Sequence, residues 1–129
     1  MLKRPSGIPG GLFRSGVRAL FVYGTLLDPR VQQRITGRDF WAVPARLPGF
    51  VRYRVVGAAY PGIRPGVGAV VEGALLLSVG EAAFRSLDVY EGPLYRRERH
   101  NVQLPSGRMC RAFVYVVRSS RRHRLSLRD

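Results

Sequence analysis

Cysteine occurs once in this 129-residue chain, at Cys110, which excludes an internal disulfide. Histidine occurs twice, at His100 and His123, and no CxxC or Cys/His ligand spacing is present, so a structural zinc site is not expected and no metal is assigned. No apolar run is long enough to span a bilayer, and no membrane role is expected. There is no GxxxxGK[ST] phosphate loop and no internal repeat. Acid is scarce: eight Asp and Glu stand against 22 basic side chains, for a formal charge of +14. Lysine is scarcer still, at one residue, a skew toward arginine that a GC-rich genome also produces.

What is present divides the chain. Residues 1–18 carry four basic side chains and no acid, and residues 118–129 carry five Arg and Asp129. The middle, 19–117, holds 13 Arg and seven acids, so more than half of the excess charge sits in the two ends. The expected organisation is a basic, disordered leader over 1–18, one domain over 19–117 and a basic C-terminal tail over 118–129. The leader has no continuous apolar segment, so it is a poor secretory signal, and its lack of acids suits an organelle transit segment only loosely. A cytoplasmic protein is expected, and nothing in the sequence sets an oligomeric state. Such charge favours contact with nucleic acid or another acidic partner. Aromatics are not interleaved with the arginines of the ends, so nucleic-acid binding stays the alternative rather than the leading expectation.

Residues 19–23 form a short apolar run closed by Gly24, a buried strand by its pattern. Asp28-Pro29 then reads as an N-cap followed by proline at the first helical position, with a short helix over 30–36 closed by Gly37. Residues 40–47 and 50–56 read as two strands parted by a turn at Pro48-Gly49. The stretch AAYPGIRPGVG, 58–68, is a loop by composition. Residues 67–79 read as a long strand whose Gly73 marks a bulge or the close approach of another backbone. At 80–90 the period changes: Ala83, Phe84, Leu87 and Glu91 fall three or four apart on one helical face, with Gly92-Pro93 as the stop. Residues 95–104 and 109–117 form a hairpin about Pro105-Ser106-Gly107. The count is six strands and two short helices, an α+β domain around a curled sheet.

Glu91 stands where the apolar face calls for another leucine. A carboxylate there is partly desolvated and faces the negative end of the helix dipole, and both effects raise its pKa toward values suited to proton transfer. An exposed glutamate at a frayed helix end has the same spacing. Residues 23–26, Tyr23-Gly24-Thr25-Leu26, end a strand on glycine, which exposes consecutive backbone N–H groups that suit a carboxylate or a phosphate. A plain strand-to-helix turn reads the same way. Glu72, in an otherwise apolar strand, pairs with an arginine or faces solvent. A Cys110–His nucleophile pair has no local support, because the strand pattern around Cys110 buries the thiol.

FVYGTL at 21–26, YPGI at 60–63, VVEG at 70–73, LDVYEGPLYRR at 87–97 and AFVYVV at 112–117 occur in one order along the chain. In this order they resemble the γ-glutamylcyclotransferase-like family, which includes γ-glutamylamine cyclotransferase and the plant AIG2-like proteins. The resemblance implies a small mixed β-barrel with short flanking helices, which with the count above gives a six-stranded barrel. It implies a γ-glutamyl small-molecule substrate, whose α-carboxylate end is held by the backbone N–H groups of Tyr23, Gly24, Thr25 and Leu26. It implies Glu91 as general acid/base, and no cofactor or metal. Tyr60, Tyr95 and Tyr115 are expected to line the pocket, each offering an apolar body and a hydroxyl donor. The implied reaction closes the γ-glutamyl group to 5-oxoproline and releases an amine. After YGTL this chain continues Leu27-Asp28-Pro29-Arg30, where some members have a basic, glycine-containing turn, so the leaving amine stays open.

Overall fold

A computed structural model of the chain describes residues 18–55, 61–118 and 125–128. In chain order these form β1 (Leu20–Val22), a 3-10 turn (Thr25–Leu27), α1 (Pro29–Thr36), β2 (Ala42–Val55), β3 (Pro61–Leu76), α2 (Glu81–Glu91), β4 (Tyr95–Gln103), β5 (Met109–Val117) and β6 (Leu125–Arg128). Strands run β3-β1-β5-β4-β2 around a barrel that closes through β2–β3, and β6 pairs with the outer end of β2. Most neighbours are antiparallel, and β1 runs parallel to β5, so the barrel is mixed.

The barrel therefore closes on five strands rather than the six expected. The six came from dividing β2 at Pro48-Gly49, but that dipeptide is a kink within one strand: Gly49 takes φ 83°, and the ladder to β3 shifts register between Pro48 and Phe50. Pro48 faces Val70 and Phe50 faces Pro65, so residues 66–69 of β3 bulge out opposite Gly49 alone. A turn and such a bulge draw on the same residues, proline and glycine, and only the partner strand tells them apart. The same partner overturns the loop reading of 58–68 from residue 61 onward. Over 61–65, β3 has only β2 beside it among the described residues, and edge positions tolerate Pro61 and Pro65. Four residues of the segment read as a C-terminal tail, Leu125–Arg128, form β6.

Alternation along the strands makes two cores. Phe21, Leu47, Ile63, Leu75, Val102, Val114 and Val116 fill the barrel interior. Leu20, Val22, Leu76, Tyr115 and Val117 point outward, where they meet Phe84 and Leu87 of α2. β1 is thus buried on both faces, which is why it reads as an unbroken apolar run. The helices follow their signals: Asp28 caps α1 by accepting from the Arg30 N–H at 2.9 Å, Gly37 ends it at φ 73°, and Gly92 ends α2 at φ 77°. α1 and α2 pack together beside the C-terminal end of β1. Among the described residues no helix is long and apolar enough to cross a membrane.

Gly73 is the close approach expected of it. A Cβ there would stand 2.2 Å from the Val22 carbonyl oxygen and 2.8 Å from the Phe21 ring. Gly73→Ala must push β3 away from β1, and overpacking of this kind costs roughly 1–3 kcal/mol. Urea unfolding of the variant is expected to show that loss at an unchanged slope.

Candidate active site

Past β1 the chain makes a tight turn. Leu27 N–H donates to the Gly24 carbonyl at 2.9 Å and Asp28 N–H to that of Thr25 at 3.2 Å. The N–H groups of Gly24, Thr25 and Leu26 precede these bonds and have no partner within the turn. At Gly24 a Cβ would fit tightly, 3.3 Å from Pro61 Cγ and Cδ. The other polar groups of the turn are tied back from three elements. Arg52 of β2 donates through Nη1 to the Tyr23 carbonyl at 2.9 Å. Gln32 of α1, only 3% exposed, donates through Nε2 to the Leu26 carbonyl at 2.7 Å. Tyr90 of α2 meets Thr25 Oγ1 through its hydroxyl at 2.9 Å. With carbonyls and hydroxyl engaged, what the turn has left to offer a ligand is a row of donors.

Glu91 ends α2. Ala83, Phe84 and Leu87 on its face are buried against the barrel wall, and the helix carries the carboxyl in with them. Burial raises its pKa from 4.5 to about 7. Glu91 and the turn residues 23–26 line one cleft together with Phe21, Val22, Pro61 and Tyr115. The cleft is small and open to solvent, with room of about 20 Å³ for a water-sized molecule, that of a single water. A carboxyl with a raised pKa thus lines the same cleft as a turn whose leading N–H groups have no partner within it. The arrangement can hold an anionic group and move a proton next to it.

The expected pocket tyrosines take different places. Tyr23 is buried, its hydroxyl donates to the Tyr115 carbonyl, and burial first and then nearby groups including Glu91 push its pKa well up. Tyr115 lines the cleft, but its hydroxyl donates to Asp88 Oδ1 at 2.6 Å. Asp88 Oδ1 in turn lies 3.5 Å from Arg97 Nε. Tyr95 stands outside the cleft lining and donates to the Pro61 carbonyl at 2.9 Å, holding a wall residue. Tyr60 lies outside the described residues. Glu72 pairs with Arg46 at 2.9 Å on the exposed face. His100 is engaged with Glu98 at 2.8 Å, and the half-buried Cys110 faces Val102 across the ladder, so these two form no nucleophile pair. Among the described residues no three His, Cys, Asp or Glu side chains gather as a metal site.

Sequence reasoning missed Arg52, Gln32, Tyr90, Asp88 and Arg97. Tyr90, Asp88 and Arg97 lie inside LDVYEGPLYRR, and that segment's density of polar groups at a helix end was the available signal. Gln32 and Arg52 carry none, since each looks like an ordinary solvated side chain until its partner is seen.

Comparison with known proteins adds the following. The profile of the family described as "Gamma-glutamyl cyclotransferase, AIG2-like" matches residues 20–129. The Arabidopsis thaliana protein named Protein AIG2 C is 38% identical over 78 residues, covering 60% of this chain and 47% of its own length. The Arabidopsis thaliana AIG2-like protein A is 40% identical over 78 residues, with the same coverage of 60% and 47%. The chain spans about half the length of these curated relatives. A solution structure of an Arabidopsis thaliana protein superposes with a TM-score of 0.73 at 31% identity, covering 80% of this chain and 70% of that one. A structure titled γ-glutamyl cyclotransferase has a TM-score of 0.71 at 18% identity, covering 79% and 67%, and at that identity it bears on the fold alone.

The raised pKa of Glu91 has a consequence for stability. Below pH 4.5 the carboxyl is protonated whether the chain is folded or unfolded, and it sets no pH dependence. Between 4.5 and about 7 only the unfolded chain ionises, so stability falls across that window and then levels off. Glu91→Gln removes the window. Relative to wild type, the variant is expected to gain up to ~3 kcal/mol between pH 4 and pH 8, read as the change in unfolding free-energy difference between those two pH values. A difference that stays flat with pH would place the carboxyl in water.

Proposed function

Because the chain belongs to the AIG2-like γ-glutamyl cyclotransferase family, we propose that it is a γ-glutamyl cyclotransferase in which Glu91 carries the proton and residues 23–26 hold the substrate. The observation that carries this reading is the one cleft lined both by a desolvated carboxyl and by the turn residues 23–26. The α-carboxylate of a γ-glutamyl group is the anion that such a row of donors accepts.

The chemistry needs little more. The nitrogen of the uncharged α-amine attacks the γ-carbonyl carbon, and a five-membered ring forms. The attacking nitrogen gives a proton to the Glu91 carboxylate. Glu91 returns it to the nitrogen of the leaving amine as the old C–N bond breaks, so 5-oxoproline and a free amine result and the carboxylate is restored. Attack within one molecule is an orientation problem, and fixing two reacting ends in place is worth up to ~7–11 kcal/mol. Pinning the α-carboxylate supplies much of that orientation. A main-chain donor placed at the developing oxyanion adds ~3 kcal/mol. A carboxyl titrating at about 7 is well matched to a proton that must be taken and given back near neutrality.

Incubation with a panel of γ-glutamyl amines, γ-glutamyl amino acids and glutathione, with 5-oxoproline as the readout, tests the reaction and names the leaving amine. Glu91→Gln keeps the shape and loses the proton carrier, and its kcat is expected to fall by ~10²–10⁴. Because the base form starts the reaction, wild-type kcat/KM is expected to rise with pH through about 7. Near-normal turnover by Glu91→Gln would remove this residue from the mechanism.

A further inference from the structure

The peptide joining Tyr23 to Gly24 carries the carbonyl of one residue and the N–H of the next. In a trans peptide these two groups point in opposite directions, and the described residues contain no cis bond. Tyr23 lies one residue beyond Val22, the last residue of β1 with a ladder partner, so its carbonyl has no strand partner among the described residues. Arg52 fills that place. It sits opposite Ile63 in β2, far from the turn in sequence, and its Nη1 stands 2.9 Å from the Tyr23 oxygen in a partly buried setting.

We infer that Arg52 is a positioning residue for the turn: by holding the Tyr23 carbonyl it keeps the Gly24 N–H turned the other way, toward the cleft, and strengthens that N–H as a donor. The inference rests on the reading above, that residues 23–26 hold the α-carboxylate. Two effects act together. The first is geometric, since a rotated peptide would present a carbonyl oxygen rather than an N–H to an incoming carboxylate. The second is electrostatic, since a cationic donor on the carbonyl polarises the whole peptide group and hydrogen bonds in a chain reinforce one another. Nothing in the proton transfer needs the guanidinium. Interactions made equally with bound substrate and transition state lower KM and leave kcat alone.

The test uses Arg52→Met, which keeps an apolar stem and loses charge and donors, and Arg52→Lys, which keeps the charge and a donor. On whichever γ-glutamyl substrate the wild type cyclises, Arg52→Met is expected to raise KM about tenfold or more with kcat within about threefold, a loss in the range of one charged hydrogen bond. Arg52→Lys is expected to recover most of it. In the free protein, the Gly24 amide proton of Arg52→Met is expected to move upfield as the peptide loses its polarising partner. An unchanged KM, or a loss confined to kcat, overturns the assignment. If the wild type forms no 5-oxoproline from any substrate, the functional reading fails by itself. The Gly24 amide then decides the Arg52 assignment, which an unmoved resonance overturns. Should Arg52→Met not fold, Arg52→Gln is read in the same two ways, with a severalfold rise in KM expected and no rise overturning it.

Discussion

A helix packed by one apolar face takes everything on that face inward with it. α2 must cover the outer side of β1 and β5, where Leu20, Val22, Tyr115 and Val117 would otherwise face water. Ala83, Phe84 and Leu87 do the covering, and each large buried side chain is worth about 1.5–3 kcal/mol. Glu91 lies on the same stripe one turn further on, so the packing that stabilises the domain also desolvates a carboxyl. The cost is the raised pKa, and the surrounding apolar contacts offset it. Nothing local to residue 91 has to provide the perturbation.

The other half of the cleft depends on where a strand stops. β1 is three residues long and ends at Val22, just where β3 crowds it at Gly73. The chain then turns so tightly that three N–H groups are left without partners in the turn. Left alone, such a turn would use its own carbonyls and hydroxyl to find new partners. Arg52, Gln32 and Tyr90 occupy those groups from β2, α1 and α2. The turn is therefore held by the barrel on one side and by both helices on the other. The Tyr90 contact ties it to the same last turn of α2 that carries Glu91. A second network, Tyr115–Asp88–Arg97, fixes the cleft wall behind them, with the Arg97 guanidinium lying 4.2 Å over the Phe84 ring.

Much of this was legible in the residues, and the failures share one cause. Helix limits came out within a residue or so because caps are local: Asp28, Pro29, Gly37 and Gly92 act on their own neighbours. Glu91 stands out in the sequence because a periodic face makes a misplaced charge conspicuous, and the burial expected of it follows from that face. The strand count went wrong at Pro48-Gly49 and the start of β3 at residues 61–66, where proline and glycine serve a kink and a strand with a bulge instead of a turn and a loop. That choice is made by the partner strand, which the sequence of one strand does not contain. Tyr95 and Tyr115 were expected at the pocket for their hydroxyls, yet these are spent on the Pro61 carbonyl and Asp88. Gln32 and Arg52 went unseen for the same reason as the kink, since their roles are defined by main-chain groups far away in sequence.

The central claim is that a carboxyl with a raised pKa and an anion-holding turn face each other across one cleft. Carbon-13 titration of the Glu91 carboxyl, with and without 5-oxoproline, tests both halves in one measurement. The account predicts a midpoint at about 7 in the free protein, and a further rise once the ligand's carboxylate occupies the turn, because a second negative charge then disfavours ionisation. A midpoint near 4.5 that the ligand leaves unmoved would contradict it.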